Sequence, residues 1–345
     1  MPKGSPRILI TRLSHIGDCV LTLPVLCALR RKYPDAYIAW AVEKPTDQLL
    51  KGHPDLDQLI VIPKNWMRMP LQWALMLFRL RWGRFDIAID PQGLNKSAML
   101  ARLSGARKRV GLKGKWGREL SGRLNNQLVE TQSPHVVDRS LELLSRVEVS
   151  DLAVEYRLPL DSASQQQVRS FLDVRQVVRP FVVVNPGASW LSKRWNVDRF
   201  AAVVRYLQSQ HGLQSVVTWA GDEERGMAQG IVHCDDECGF VAPRTSLREY
   251  AALCDYASFF IGCDTGPMHI AAAMGTPCIG LYGTTLPTES GAYGPQNIAI
   301  QKWHQNGTSR ERRKAENVAM MEIMPEDVFA ACDQMVARLR SGQAS

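Results

Sequence analysis

Residues 259–275 read FFIGCDTGPMHIAAAMG, which is the pattern of a buried strand, a tight turn and a helix. The apolar run favours a β-strand that ends near Asp264. A two-residue turn follows, and Pro267 suits the first turn of a helix, where its missing N–H costs nothing. Free backbone N–H groups at this helix start could bind an anion together with the Thr265 hydroxyl and the His269 imidazole. Helix capping with a surface histidine is the alternative interpretation.

Runs of the same kind alternate with amphipathic stretches along the whole chain. Strands are predicted at residues 8–11, 36–42, 59–62, 87–90, 181–185, 215–219, 259–262 and 278–282, and helices at 18–32, 97–103, 197–210 and 267–274. This alternation predicts parallel sheets built from βαβ units, in an α/β fold of two Rossmann-like domains that face a cleft.

The length of 345 residues also favours two domains over one core. The polar, Gln-rich stretch 161–179 separates the two sets of strands, so the change of domain is predicted there. The predicted division is 1–165 and 166–320, with a C-terminal helix and tail at 321–345.

A second loop follows the predicted strand at 181–185. Residues 185–189 read NPGAS, and Lys193 and Arg194 come shortly afterwards. A glycine-containing loop with a hydroxyl, here Ser189, and two cations is typical of a phosphate cradle. The spacing of a Walker A loop is absent.

A third loop, residues 12–18 (RLSHIGD), directly follows the first predicted strand. Gly17 allows a tight turn from strand to helix. Open α/β sheets bind ligands at the carboxyl ends of their strands, and Asp18 is predicted to lie at that edge. Its carboxylate could take a proton from a sugar hydroxyl. An aspartate that caps the helix is the alternative.

The composition excludes several classes of protein. The chain is 45% apolar and 22% charged, as in ordinary globular proteins. No run approaches the ~20 apolar residues of a transmembrane helix, and the N-terminus lacks the apolar region of a signal peptide. We therefore expect a cytoplasmic protein whose eight cysteines are reduced.

Positive charge is concentrated in residues 64–123, which hold fourteen Lys or Arg against three acids. Such a segment predicts an anionic partner, with Arg107, Lys108 and Arg109 as candidate acceptor contacts. A solvated surface is the alternative. Nucleic acid is not expected, because no helix-turn-helix, zinc-finger or RRM signature accompanies the charge. Residues 66–82 (WMRMPLQWALMLFRLRW) suit an interfacial helix, with core packing as the alternative.

Together these motifs resemble those of the ADP-heptose–lipopolysaccharide heptosyltransferases, over about residues 7–337. The matching segments are Ile16-Gly17-Asp18 with Leu21-Thr22-Leu23-Pro24, Asp90-Pro91-Gln92-Gly93-Leu94 with Lys96-Ser97, Asn185-Pro186-Gly187-Ala188-Ser189 with Lys193-Arg194-Trp195, Asp264-Thr265-Gly266-Pro267-Met268-His269, and Met324-Pro325-Glu326-Asp327-Val328.

The resemblance implies a GT-B glycosyltransferase that inverts the anomeric carbon. Its donor would be an ADP-activated heptose, and its acceptor an anionic glycolipid, the lipopolysaccharide inner core. The enzyme would then work at the cytoplasmic face of the inner membrane, with peripheral contact to it. Asp18 matches the general base of the family, and Lys193 would stabilise the departing diphosphate.

The resemblance also assigns the nucleotide site. The positions that hold the diphosphate match Ser189, Lys193, Asp264, Thr265, Gly266 and His269. The acidic pair Glu223-Glu224 after Gly221 resembles the place where a glutamate meets the nucleoside, and Glu223 is the candidate. No metal or other cofactor is expected, because these donors can neutralise the pyrophosphate. Asp55-Leu56-Asp57 resembles the Asp-x-Asp metal motif of other glycosyltransferases, but it precedes a strand in a turn-like context.

The chain departs from the family pattern at residues 282–287 (YGTTLP), where an aspartate is commonly found after Tyr-Gly. Segment 303–321 is basic and polar where many relatives carry cysteines. Three alternatives therefore stay open: another nucleotide sugar, another glycan acceptor, or a non-catalytic protein that binds a nucleotide sugar.

Overall fold

The computed structural model describes residues 5–68, 70–118, 120–233 and 238–342. The chain divides into two compact units, Met1–Pro159 and Leu160–Ser345. Stretch 161–179, where the sequence places the change of domain, holds a helix of the second unit instead of a linker. Asp161 caps this helix by accepting from the Ser164 N–H at 2.8 Å.

The first unit alternates strands and helices. Its strands are β1 (Arg7–Thr11), β2 (Tyr37–Glu43), β3 (Gln58–Ile62), β4 (Ile87–Asp90), β5 (Lys108–Leu112) and β6 (Gln127–Val129). Its helices are α1 (Ile16–Val20), α2 (Leu23–Lys32), α3 (Asp47–Leu50), α4 (Pro70–Trp82), α5 (Asn95–Leu103), α6 (Ser121–Leu124) and α7 (Val136–Glu142). The described strands form one parallel sheet in the order β3-β2-β1-β4-β5-β6.

The second unit repeats this architecture. Its strands are β7 (Phe181–Asn185), β8 (Gln214–Val217), β9 (Gly239–Val241), β10 (Phe259–Cys263), β11 (Cys278–Leu281) and β12 (Ile298–Ile300). Its helices are α8 (Ser162–Val174), α9 (Val197–His211), α10 (Asp222–Val232), α11 (Leu247–Tyr256), α12 (Gly266–Ala273), α13 (Pro287–Ser290), α14 (Ser309–Lys314), α15 (Val318–Met321) and α16 (Pro325–Arg340). Its described strands are also parallel, in the order β12-β11-β10-β7-β8-β9.

The central strands are covered on both faces. Successive side chains of a strand point to opposite faces of the sheet, yet every residue of β7 and of β10 is buried. Strands buried on both faces consist of continuous apolar residues, many of them β-branched or aromatic. The sequences of β7 (FVVVN) and β10 (FFIGC) have this character. The sheets are therefore the centres of the two cores.

Both sheets reverse their strand order in the middle, between β1 and β4 in the first unit and between β7 and β10 in the second. Open α/β sheets bind ligands outside the carboxyl ends of the strands at such a switch point. The loops that follow these four central strands hold the motifs that the sequence singles out, so the topology places each motif where a ligand site is expected.

The eight predicted strands are all present, shifted by no more than two residues at either end. The sequence missed β5, β6, β9 and β12. Three of these strands have only three residues, which is too short for a period to show, and β5 (KRVGL) begins with two cations.

The prediction of one continuous helix at 18–32 was wrong, because the structure has two shorter helices, α1 and α2. Pro24 explains the break, since its ring and its missing N–H do not fit inside a continuous helix. The other three predicted helices are confirmed as α5, α9 and α12.

The cysteines of the described residues are buried, as reduced thiols in a protein core usually are. Among the described residues, no helix combines the length and the apolar character needed to cross a membrane.

Candidate functional site

Asp264, directly after β10, is the centre of a buried polar network. Its Oδ2 accepts hydrogen bonds from Lys193 Nζ and from the Thr285 hydroxyl, each at 2.6 Å. Its Oδ1 lies 3.4 Å from His269 Nε2. Lys193 Nζ also donates to the main-chain oxygen of Asp264 at 3.2 Å. These contacts tie the loop after β7 to the loop after β10 and to the first turn of α12.

The network keeps Asp264 ionised. Burial by itself would raise the pKa of this carboxyl, but the Lys193 ammonium and His269 outweigh burial and hold the pKa well below its usual range. Because the pKa is depressed in the folded state, the charged carboxylate stabilises the fold at neutral pH. That contribution falls away only as the pH drops below about 4.

His269 is buried, so the interpretation of a surface histidine is wrong. Within the described residues, its buried Nδ1 has no hydrogen-bond partner. A buried polar atom of this kind needs a partner, and a bound ligand is one way to supply it. Its place in the first turn of α12 puts it beside the N–H groups of the helix start.

Thr265 does not cap α12. Its hydroxyl donates to the main-chain oxygen of Cys263 at 3.3 Å, and its side chain makes no capping hydrogen bond to the helix. The helix start is therefore not closed by its own N-cap side chain, and N–H groups from Gly266 onward face the carboxyl edge of the sheet.

The loop after β7 passes close to Glu224. A Cβ atom at Gly187 would overlap the Glu224 carboxylate, so any larger residue there would have to displace the Glu224 side chain. Glu224 accepts from the Ala220 N–H at 2.7 Å, and burial raises its pKa. Ser189 is an exposed residue of the same loop.

Glu223, which the sequence places at the nucleoside, pairs with Arg194 instead of facing the loop itself. The pair lowers the pKa of Glu223. Arg194 in turn donates from Nε to the main-chain oxygen of Ala188 at 2.9 Å. Glu223 therefore braces the loop through Arg194, whereas its neighbour Glu224 is the glutamate in contact with the loop.

Segment 303–321 supplies further cations to this region. Arg312, in α14, donates to the main-chain oxygen of Thr284 at 2.5 Å and accepts from the Ser192 hydroxyl at 2.6 Å through its own main-chain oxygen. Arg313 and Lys193 lie 5.0 and 4.7 Å from the centre of the Trp190 ring. The basic segment that departs from the family pattern therefore lies beside the predicted diphosphate site.

In the first unit, Asp18 is the third residue of α1. Its Oδ1 forms an ion pair with Arg12 at 2.8 Å, and its Oδ2 accepts from the His15 N–H at 3.2 Å. The Asp18 side chain is 36% exposed and that of Arg12 is 7% exposed. The N-cap residue is His15, so the alternative of Asp18 as the N-cap is wrong. Asp18 does accept a hydrogen bond from the backbone N–H of this N-cap residue.

The loop after β4 holds this part of the chain in place. The side chain of Gln92 accepts from the Leu13 N–H at 2.8 Å, and Arg12 donates to the main-chain oxygen of Pro91 at 3.1 Å. Asp90 anchors the same loop, because its buried carboxylate accepts from the Gly93 N–H at 3.1 Å and from the Asn125 amide at 2.9 Å. Burial raises the pKa of Asp90.

Arg107, Lys108 and Arg109 stand at the other edge of this sheet. They precede or begin β5, whereas Asp18 follows the carboxyl end of the parallel β1. Lys108 donates to the main-chain oxygen of Arg146, and Arg109 donates to two further carbonyls, those of Leu124 and Ala106. Their placement gives the predicted acceptor role no support, and that role stays a prediction.

Other cations follow the carboxyl end of β5. We call residues 113–118 (KGKWGR) the basic loop. Lys115 and Arg118 are exposed, and the Arg118 N–H bonds to the main-chain oxygen of Gly93 at 3.0 Å. Gly93 has a φ of +64°, and a Cβ there would overlap the Trp116 oxygen. The basic loop therefore packs on the loop after β4, at the same edge as Asp18.

One cluster in the described residues has the composition of a metal site. Cys27, His53 and Asp55 are buried, with potential ligand atoms within 4.8 Å of one another. Each is already engaged: His53 bonds to the Tyr156 carbonyl and the Asp55 N–H, and the Asp55 carboxylate binds Arg157 at 2.9 and 3.2 Å. Burial raises the pKa of the Cys27 thiol. A metal would have to displace these partners, so the cluster has a structural role.

Three contributors to these sites were missed by the sequence. Arg12 belongs to the loop 12–18 but was given no role, and Thr285 lies in the segment that departs from the family pattern. Glu224 was named only as the second member of the pair Glu223-Glu224. Arg12 pairs with Asp18 within the same loop, whereas Thr285 is recognisable only through Asp264, which lies 21 residues away along the chain. Glu224 could have been found from its three-residue offset from Gly221, the N-cap of α10.

Comparison with known proteins identifies relatives of this chain over most of its length. The family model described as "Glycosyltransferase family 9 (heptosyltransferase)" matches residues 75–320. Lipopolysaccharide heptosyltransferase 3 of Escherichia coli is 29% identical over 340 residues, which cover 94% of this chain and 98% of that protein.

Solved structures are similar over nearly the whole chain. The glycosyltransferase family 9 protein of Veillonella parvula has a TM-score of 0.79 at 22% identity and covers 98% of this chain and 99% of its own. The E. coli heptosyltransferase WaaC with ADP-2-deoxy-2-fluoro heptose has a TM-score of 0.74 at 22% identity, covering 95% and 99%. This similarity confirms the GT-B fold class, and the family match over most of the sequence establishes that the chain belongs to glycosyltransferase family 9, the heptosyltransferases.

Proposed function

We propose that this glycosyltransferase moves a heptose from an ADP-activated donor to an anionic glycolipid acceptor, the inner core of lipopolysaccharide. The observation that carries the proposal is the network of Lys193, Asp264 and His269 beside the open start of α12. It supplies fixed donors for a diphosphate at the switch point of a family 9 chain. The names of the similar proteins, which include lipopolysaccharide heptosyltransferases and one structure with an ADP-heptose analogue, support the donor and the acceptor.

On the donor side, the diphosphate would lie against the loops after β7 and β10. The Lys193 ammonium uses two of its hydrogen bonds on Asp264, which leaves a further N–H for a phosphate oxygen. The Ser189 hydroxyl and the main-chain N–H groups of Thr265 and Gly266 would add donors, and the unpartnered Nδ1 of His269 would donate as well when both ring nitrogens carry a proton. Glu223 would act on the nucleoside end through Arg194. With these groups neutralising the leaving diphosphate, the reaction would need no resident metal.

The reaction is a single displacement. An acceptor hydroxyl oxygen forms a bond to the anomeric carbon, the bond from that carbon to the diphosphate oxygen breaks, and ADP leaves. Asp18 would take the hydroxyl proton, and Arg12 would hold its carboxylate in position. Lys193 would stabilise the negative charge that develops on the leaving diphosphate. Attack opposite to the leaving group inverts the anomeric carbon.

The acceptor is anionic, so cations at the edge that holds Asp18 are the better candidates for its phosphates and carboxylates. Lys115 and Arg118 of the basic loop meet this condition. An acceptor anchored in lipid would place the enzyme at the cytoplasmic face of the inner membrane.

A panel of nucleotide sugars tests the function directly. We expect ADP release with an ADP-heptose only when a lipopolysaccharide core acceptor is present, and little release with UDP- or GDP-sugars. Efficient turnover of another nucleotide sugar, or of a glycan without the anionic core, would replace this donor or acceptor by one of the alternatives.

The acceptor site gives a second prediction. Lys115→Gln/Arg118→Gln should raise the KM for the acceptor about tenfold or more, because each charged contact to an anion is worth about 1.5–3 kcal/mol when desolvated and less at an exposed site. The donor KM should not change. Arg107→Gln/Lys108→Gln is the matched pair from the other edge and should leave both constants near wild type. If Arg107→Gln/Lys108→Gln raises the acceptor KM and Lys115→Gln/Arg118→Gln does not, the acceptor binds at Arg107, Lys108 and Arg109.

A further inference from the structure

Helix α4 carries an apolar stripe on its outer face. Leu71, Leu75, Phe78 and Trp82 are exposed by 72, 56, 63 and 76%. They recur at every third or fourth position, so they lie along one face of the helix. Single exposed apolar residues are ordinary on a protein surface, but a contiguous row of large ones marks an interaction site. We call these four residues the α4 face.

The opposite face of α4 is already packed. Met76 and Leu80 are buried in the core of the first unit together with Trp66 and Phe85. The ring of Trp66 lies 5.5 Å from that of Trp73, which fixes the start of the helix to the segment before it. Because the buried face of α4 already packs against the core, the first unit leaves the outer stripe exposed to solvent.

The charged residues of the segment that contains the α4 face are all cations. Residues 64–85 contain five Lys or Arg and no Asp or Glu. Arg79, Arg81 and Arg84 are exposed next to the apolar row. A surface of large apolar and aromatic side chains with exposed arginines next to it matches an anionic bilayer. There, the apolar groups enter the boundary between head groups and acyl chains, and the cations meet lipid phosphates.

We propose that the α4 face docks the enzyme on the surface of an anionic lipid bilayer. Trp82 and Phe78, whose ring centroids lie 5.7 Å apart, would insert at the level of the head groups. Arg79, Arg81 and Arg84 would contact the lipid phosphates. The inference deepens the proposed function, since it names the surface by which the enzyme reaches an acceptor that is anchored in a membrane. Lipid binding itself requires neither donor nor acceptor.

Vesicle sedimentation of the full chain tests this docking. The wild type should bind vesicles of phosphatidylcholine with phosphatidylglycerol and bind phosphatidylcholine alone much more weakly. Leu75→Ser/Phe78→Ser/Trp82→Ser should weaken binding on the order of 100-fold, because three apolar side chains are no longer buried. Arg79→Gln/Arg81→Gln should weaken it about 30-fold, since each basic residue near an anionic surface contributes about 1 kcal/mol.

Matched variants separate docking from general surface effects. Val174→Ser/Val178→Ser removes two exposed apolar residues of the second unit and should bind like the wild type. Trp82→Phe keeps the apolar face but removes the tryptophan whose fluorescence reports contact with the lipid. It should therefore still sediment with vesicles, while losing most of the tryptophan quenching that brominated lipids cause. Melting temperatures of all variants should stay near wild type, because the replaced side chains are exposed.

Three results would overturn the inference. The triple serine variant could bind vesicles as tightly as the wild type. Brominated lipids could quench wild type and Trp82→Phe equally. Sedimentation velocity could instead show that the face joins two copies of the chain, with no vesicle binding. Turnover of a soluble, de-acylated acceptor should be unchanged in the triple serine variant, so failure to dock and failure of the proposed reaction give different results.

Discussion

Replacement of Asp18 by asparagine is expected to lower kcat by about 10²–10⁴-fold, the usual contribution of a general base. The amide keeps the shape of the carboxylate and an oxygen for the His15 N–H, but it cannot accept the proton of the attacking hydroxyl. ADP affinity should stay near wild type, since Asp18 belongs to the first unit and the nucleotide loops belong to the second. Steady-state kinetics with saturating donor and calorimetric titration with ADP measure the two quantities.

The ion pair of Asp18 calls for a control on stability. Arg12 is buried, and an asparagine at position 18 leaves its guanidinium without a charged partner. Breaking a buried pair costs about 3–5 kcal/mol, and the partial exposure of Asp18 reduces this to about 1–2 kcal/mol. Asp18→Asn should therefore also melt at a lower temperature than the wild type.

Arg12→Gln separates the catalytic loss from this structural loss. It breaks the same ion pair but keeps the carboxylate of Asp18. If Asp18 is the base, Arg12→Gln keeps far more kcat than Asp18→Asn at a similar melting temperature. If Asp18 only positions the loop, both variants lose activity equally. If Asp18→Asn retains more than about a tenth of wild-type kcat, Asp18 is not the general base.

Replacement of Lys193 by methionine should raise the dissociation constant of ADP about 10–100-fold, the scale of one charged hydrogen bond. It should lower kcat by about 10²–10³-fold, because a fixed donor to the developing negative charge is lost. Calorimetry with ADP and the rate of ADP release test these values. If this variant binds ADP with wild-type affinity, Lys193 does not contact the diphosphate.

Lys193→Met also leaves Asp264 buried without its cation, so the variant should be less stable than the wild type. The double variant Lys193→Met/Asp264→Asn removes both charges. It should recover much of the stability but none of the ADP affinity, which distinguishes a ligand contact from a loss of folding. Lys302→Met breaks an ion pair to Asp327 in the same unit and should leave ADP binding unchanged.

Much of the local structure could be predicted from the sequence. The stretch around Asp264 specifies its strand, turn and helix, because apolar runs, Gly and Pro act within a few residues of one another. The loops that carry Asp18 and Ser189 follow from the same local rules. The sequence missed β6, β9 and β12, whose three residues are too few to show an alternation, and β5, which begins with two cations.

The partners within the sites could not be read in this way. Lys193 and Asp264 are 71 residues apart, and Arg12 and Pro91 are 79 residues apart. They meet because β7 lies beside β10 and β1 beside β4. Strand order depends on the packing of the whole sheet, so the ionised state of Asp264 and the hydrogen bond of Arg12 to the loop after β4 appear only in the folded chain.

The sequence by itself determined that the chain is built from parallel βαβ units, that its motifs follow strand ends, and that it resembles the heptosyltransferases. Only the tertiary structure decided which of its cations share an edge with Asp18 and which face of α4 meets solvent. The physical reason is the range of the interactions. Periodicity and turn chemistry are local, whereas sheet order and burial are set by residues that are distant along the chain.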